Sequence, residues 1–241
     1  MRAIVCTAYG PPDVLALRDM PKPVPRDDEV LVRIRATTVG AADCELRRFD
    51  FAPWIWLPIR LAFGIRRPRQ PVLGQELAGD VEAVGSGVMT LKAGDRVFAA
   101  TGIGLGAHAG YLCLREHPKT GAITTMPANI GFEEAAAVPY GGGEALQFLR
   151  KANVLRGQRV LVNGAGGSFG TFAVQLAKAL GAHWGQASTP RRSSRRPPRP
   201  SSSSRSRPPP WHRSSGCSSP AASPSRWYVS RRPPRPSPRA T

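Results

Sequence analysis

Gly164, Gly167 and Gly170 recur at three-residue intervals in Gly164-Ala165-Gly166-Gly167-Ser168-Phe169-Gly170, and Gly164 and Gly166 also open a G-x-G. Glycine at this density suits one kind of chemistry. A dinucleotide pyrophosphate has to come close to backbone N–H groups at a helix N-terminus. A Cβ in the turn would block that approach, and the turn needs angles that glycine reaches at little cost. All seven residues are therefore the candidate cofactor-binding residues. The competing reading is a glycine-rich turn packed tightly for structural reasons, and context has to decide between the two.

That context is a strand before the turn and a helix after it. Arg159-Val160-Leu161-Val162-Asn163 is a short apolar run with polar ends, which reads as a buried parallel strand. From about Thr171 a helix is expected. Phe169, Phe172, Ala173, Leu176, Ala177 and Leu180 lie on one stripe at helical spacing, and Gly181 supplies a C-cap. The next element of such a unit is a second parallel strand, closed by an acid about 20 residues beyond the glycines that holds a ribose hydroxyl. Beyond His183 the only apolar run is Trp227-Tyr228-Val229, so this strand is expected to be missing. The first strand and one helix face would then lack neighbours, and the fragment would be poorly stable. Arg191 and Arg192 are candidates for a 2′-phosphate site, with unstructured arginines as the simpler reading. No choice between NAD and NADP follows.

Upstream the pattern has a period of two. In Glu29–Thr37, Val30, Val32, Ile34 and Ala36 face one way and Arg33, Arg35 and Thr37 the other, as in a half-buried antiparallel strand. Further strands fit Leu77–Val84, Arg96–Ala99 and Tyr111–Leu114, with Gly85-Ser86-Gly87 and Ala93-Gly94-Asp95 as turns. Many short strands of this kind suggest a barrel-like β domain. Near residue 127 the period changes. Asn129 is placed to cap a helix reaching Ala137, and a second helix fits Gly143–Lys151. Phe51–Ile65, interrupted by Pro, Gly and Arg60, is too short for a membrane span and reads as a loop and helix covering a pocket.

Charge divides the chain. Residues 184–241 hold 13 Arg and no acid, and 42 of their 58 residues are Arg, Pro or Ser. Such a segment buries too little apolar surface to fold, so a disordered tail is expected. Cys6, Cys44, Cys113 and Cys217 show no C-x-x-C spacing and no export signal precedes them, which points to a reduced, cytoplasmic protein without a membrane partner.

Four motifs occur in order: Pro71-Val-Leu-Gly-Gln-Glu-Leu-Ala-Gly79, Gly94-Asp-Arg-Val97, Ala135-Ala-Ala-Val-Pro-Tyr-Gly-Gly142 and Val162 through the glycine turn to Lys178. Residues 1–183 thereby resemble the medium-chain dehydrogenase/reductase superfamily, in its quinone-oxidoreductase-like branch. The resemblance implies a mixed α/β fold. Its parts would be a GroES-like β-barrel substrate domain (1–126), the first, incomplete part of a Rossmann domain (127–183) and the disordered tail (184–241). It implies hydride transfer from NADPH or NADH to a quinone or other conjugated carbonyl, a small-molecule partner, and a homodimer where the Rossmann domain is complete.

The departures from the pattern set the branch. Zinc members of the superfamily have a Cys ligand where Gly40 stands, a hydroxyl where Ala42 stands and a His ligand where Gln75 stands. An amide and a hydrogen atom cannot replace imidazole and thiolate, so no zinc is expected. Glu144 stands where relatives often carry Thr, and zinc-free relatives often have Asn at the Gly40 position. Asp43 and Arg47 match a recurrent D-x-x-x-R pattern, either as a helix-surface ion pair or as catalytic groups. Tyr140 borders the implied cleft. The residues leave the catalytic proton donor unassigned.

Three readings of residues 184–241 stand open. Out-of-frame translation fits the abrupt change of composition best, and its consequence would be an impaired reductase. A basic arm for nucleic acid is the second, and a non-catalytic scaffold that kept the β domain is the third.

Overall fold

The structure is a computed structural model and describes residues 1–186 and 228–230. Two compact units divide the chain, Met1–Glu144 and Ala145–Thr241.

In the first unit, β1 (Arg2–Cys6) and β2 (Leu15–Asp19) form an antiparallel hairpin. The main sheet follows: β3 (Glu29–Thr37), then α1 (Ala41–Arg48) and α2 (Pro53–Phe63), then β4 (Glu76–Val84), β5 (Arg96–Ala100), β6 (Tyr111–Arg115) and β7 (Ala122–Thr125). Its order is β6-β3-β4-β5-β7, antiparallel throughout. The alternation read in Glu29–Thr37 is realised, with Val30 and Val32 wholly buried and Arg33 and Arg35 exposed. Leu31 is buried as well, since a register shift between Leu31 and Val32 breaks strict alternation there. Val30, Val32, Leu77, Val81, Val97 and Ala99 form the core of the sheet. Burying such side chains stabilises the fold by about 1.5–3 kcal/mol each.

The helix expected from an Asn129 cap is α3 (Phe132–Ala136), and its N-cap is Gly131. The Glu134 carboxylate accepts the Gly131 N–H at 3.0 Å, so the acid three residues into the helix does the capping instead of the Asn. Next, α4 (Pro139–Lys151) begins four residues before the expected Gly143, because proline is well suited to a first helical turn.

The second unit contains β8 (Arg159–Val162), α5 (Ser168–Ala179), β9 (His183–Gln186) and β10 (Tyr228–Ser230). The sheet order is β10-β8-β9. Two expectations are corrected here. A second parallel strand is present: β9 pairs with β8 from Arg159 opposite His183 to Val162 opposite Gln186. No apolar run announces it. It forms because the Gly157 N–H donates to Gly181 O and the His183 N–H to Gln158 O, which brings the chain alongside β8 as it leaves α5. On its other edge β8 pairs antiparallel with β10, so the strand has neighbours on both sides. Nor is β8 buried on both faces. Val160 and Val162 pack with Leu149, Ala173 and Ala177, whereas Leu161 is 40% exposed. The remaining tail residues, Arg191 and Arg192 included, lie outside the described residues.

Candidate functional site

The glycine turn links β8 to α5, the context that gives the motif its weight. Gly164 has φ +78°, a left-handed conformation that glycine adopts at little cost. The Gly167 N–H donates to Gly164 O at 3.1 Å and closes the turn. Helix α5 starts at Ser168, three residues before the expected Thr171, with Gly167 as N-cap and no side-chain cap among the described residues. Its leading N–H groups are thus left to face a ligand or water. At Gly170 the reason for glycine is space. A Cβ there would overlap Gly164 O and lie 2.5 Å from Ala165 Cα and 2.9 Å from Ala165 C. A Cβ at Gly166 would meet nothing within 4 Å. The seven residues thus form one continuous turn and first helical turn, open at Gly166 and tight at Gly170.

The residues singled out in the first unit separate into two small networks. One surrounds Asp43, which is buried. Its Oδ2 accepts the Gly40 N–H at 2.8 Å and its Oδ1 the Gly74 N–H at 3.1 Å. Arg47, also buried, donates to Gly10 O. The expectation of a helix-surface ion pair is corrected by this burial. Asp43 fastens the start of α1 to the loop before β4, and Arg47 fastens its end to the N-terminal loop. Gln75, in the position of a zinc ligand in other members, accepts the Thr101 N–H through its backbone carbonyl at 2.8 Å. Among the described residues no three His, Cys, Asp or Glu side chains converge to hold a metal ion.

The second network centres on Glu76. Its Oε2 accepts the Thr38 hydroxyl at 2.5 Å and its Oε1 the backbone N–H of Tyr140 at 2.8 Å. Burial, then the neighbouring Glu144, Glu76 and Glu45 carboxylates, push the Tyr140 phenol above its ordinary range. The phenol therefore stays protonated across neutral pH and is suited to donate a hydrogen bond, not to release its proton. Glu76 stands in the motif Pro71–Gly79 with no task evident from its neighbours in sequence, and Thr38 belongs to no motif. The available signal was an acid directly after Gly74-Gln75 at the head of an apolar strand.

A cavity of about 590 Å³ lies between the hairpin and α1, with Ile4, Leu15, Leu17, Cys44 and Leu73 in its wall. Gly40, Gln75, Glu76 and Tyr140 do not line it.

Comparison with known proteins gives this arrangement its class. Residues 26–140 match the family described as alcohol dehydrogenase GroES-like domain. The quinone oxidoreductase of Pseudomonas aeruginosa is 40% identical over 181 residues, covering 75% of this chain and 50% of that protein. The solved quinone oxidoreductase of Coxiella burnetii superposes with a TM-score of 0.65 at 31% identity, over 78% of this chain and 57% of that one. A mycobacterial structure complexed with NADPH superposes with a TM-score of 0.61 at 30% identity, over 77% and 52%. Residues 26–140 thus carry the GroES-like domain of the medium-chain dehydrogenase/reductase superfamily, and over residues 1–186 the chain is similar to quinone oxidoreductases of that superfamily. It spans about half the length of the curated relatives it matches.

Proposed function

We propose that the turn Gly164–Gly170 binds the pyrophosphate of NADPH, and that the chain carries the cofactor-binding part of a zinc-independent reductase of quinones or other conjugated carbonyls. The observation that carries this reading is the fit of the turn to the group. The backbone is left-handed at Gly164, α5 has no side-chain cap among the described residues, and Gly170 leaves no room for a Cβ. The leading N–H groups of α5 would hold the phosphates. The cofactor, when bound, supplies the hydride. The protein's part is to orient the cofactor and to stabilise the oxyanion that develops on the carbonyl by hydrogen bonds, since neither Gly40 nor Gln75 offers a zinc ligand. NADPH is preferred over NADH by analogy with the relative complexed with NADPH.

The test is a fluorescence titration of the purified chain with NADPH, alongside turnover with a soluble quinone. Saturable binding at micromolar cofactor that is lost in Gly170→Ala supports the proposal. Absence of binding to the folded wild-type chain overturns it. Binding without turnover would leave the chain a cofactor-binding protein and would remove the reductase part of the proposal.

A further inference from the structure

Helix α2 differs from the other α-helices described in burying none of its residues. Its inner face is nonetheless held. The Arg60 guanidinium lies 4.2 Å from the Tyr9 ring centre, 4.4 Å from Phe49 and 5.2 Å from Trp56. Phe63 packs against the cluster of Leu46, Leu73 and Leu105. The Tyr9 hydroxyl donates to Phe63 O and Gly64 O, which fixes the turn after the helix.

The outer face is different. Trp54, Leu57 and Leu61 are 80%, 58% and 53% exposed, at i, i+3 and i+7, and Ile65, just past the helix end, is 62% exposed. Exposed apolar residues in a contiguous patch mark an interaction site. The charge beside them has one sign. Arg66, Arg67 and Arg69 are exposed, and no Asp or Glu occurs between Asp50 and Glu76. A short helix with Trp and Leu outward, bordered by arginines and clamped from behind, has the chemistry of an element that lies in a bilayer interface. Its 11 residues span about 16 Å, too short to cross a membrane.

We propose that α2 and the Arg66–Arg69 loop dock the protein peripherally on an anionic phospholipid surface. Trp54, Leu57, Leu61 and Ile65 enter the headgroup region and the arginines pair with lipid phosphates. This departs from the sequence-based expectation of no membrane partner. It is independent of the cofactor proposal, since no residue of the glycine turn takes part.

The experiment uses the full chain with Trp54 as its single tryptophan, the other four replaced by Phe, and vesicles of phosphatidylglycerol mixed with phosphatidylcholine. Wild-type protein is co-sedimented in parallel, so that the result does not rest on the substituted protein alone. Expected results are a blue shift of Trp54 emission on binding, quenching of Trp54 by brominated acyl chains, and neither effect with phosphatidylcholine alone. Joint replacement Leu57→Asp and Leu61→Asp should abolish the shift. Replacing Arg66, Arg67 and Arg69 by Gln should weaken binding on the order of a hundredfold. The arginines beyond residue 186 attract the same vesicles, and bound protein whose Trp54 remains in water would overturn the proposal. Trp54 already shielded without vesicles would also overturn it, by showing that protein covers the face, and a concentration-dependent shield would name a second copy as the cover.

Discussion

The carboxylate of Glu76 accepts the backbone N–H of Tyr140 at 2.8 Å, joining the first residue of β4 to the first turn of α4. The same carboxylate holds the Thr38 hydroxyl at 2.5 Å, so one side chain fastens three segments that are far apart in sequence. Glu76→Ala leaves that N–H and that hydroxyl without their acceptor and is expected to cost about 1–3 kcal/mol. Glu76→Gln, which keeps one acceptor oxygen, should cost less. Urea unfolding of the three proteins measures this, and equal midpoints would show that the tie contributes nothing to stability.

Glu116 predicts a pH dependence. Its carboxylate accepts the Thr90 hydroxyl and the backbone N–H groups of Met89, Thr90 and Leu91. The Thr90 hydroxyl first, then the Met89 and Thr90 amides, pull its pKa down to about 2. A carboxylate whose pKa is lowered by folding stabilises the native state fully above its unfolded value, about 4.3, and loses that contribution as pH falls through its folded value. Thermal stability should therefore drop between roughly pH 4 and pH 2. Glu116→Gln should be less stable at neutral pH and should show a shallower decline in that window. Melting temperatures of both proteins across the acid range decide it, and parallel curves would remove Glu116 from the account.

Gly170 and Gly166 make a matched pair. Gly170→Ala forces a methyl group into the backbone of Gly164 and Ala165, so the turn has to open. Loss of NADPH binding and a lower melting temperature are expected. Gly166→Ala meets open space and should leave the fold unchanged. Similar melting temperatures for the two variants would contradict the packing described for this turn.

Cys113 should be slow to alkylate. Burial, helped by the Glu29 carboxylate, raises its thiol pKa to about 11. At pH 8 about one molecule in a thousand is then thiolate, the reactive form. Mass spectrometry after brief iodoacetamide treatment should find Cys113 unmodified, with labelling rising steeply only as pH nears 11. Rapid labelling at pH 8 would contradict the environment described.

How far the sequence revealed this molecule depended on which forces acted locally. The alternation of Val30 and Val32 with Arg33 and Arg35 was readable because a sheet with one buried face imposes a period of two. The glycine turn was readable because backbone angle and lack of space both exclude other residues. Strand β9 was not. His183-Trp184-Gly185-Gln186 has no strand composition, and its pairing with Arg159–Val162 comes from two backbone hydrogen bonds of the adjoining loops. Asn129 looked like a helix cap, but the backbone placed Gly131 at that position and Glu134 satisfied it. Asp43 and Arg47 carry a spacing that fits an exposed ion pair equally well, and only their burial reveals them as ties to Gly40, Gly74 and Gly10.

The sheet order also has a consequence for vectorial synthesis. Strand β3 is paired on one edge with β4 and on the other with β6, Glu29 opposite Arg115. It leaves the ribosome long before either partner edge is complete. At about 5–20 residues per second, the wait from residue 37 to residue 115 is roughly 4–16 s. For that interval Val30, Leu31 and Val32 face solvent on a strand with at least one open edge, an opportunity for pairing with another nascent chain. Arg33 and Arg35 sit on this same strand, and their like charges on neighbouring copies oppose such pairing, Arg35 until β4 brings Asp80 beside it and Arg33 until β6 arrives.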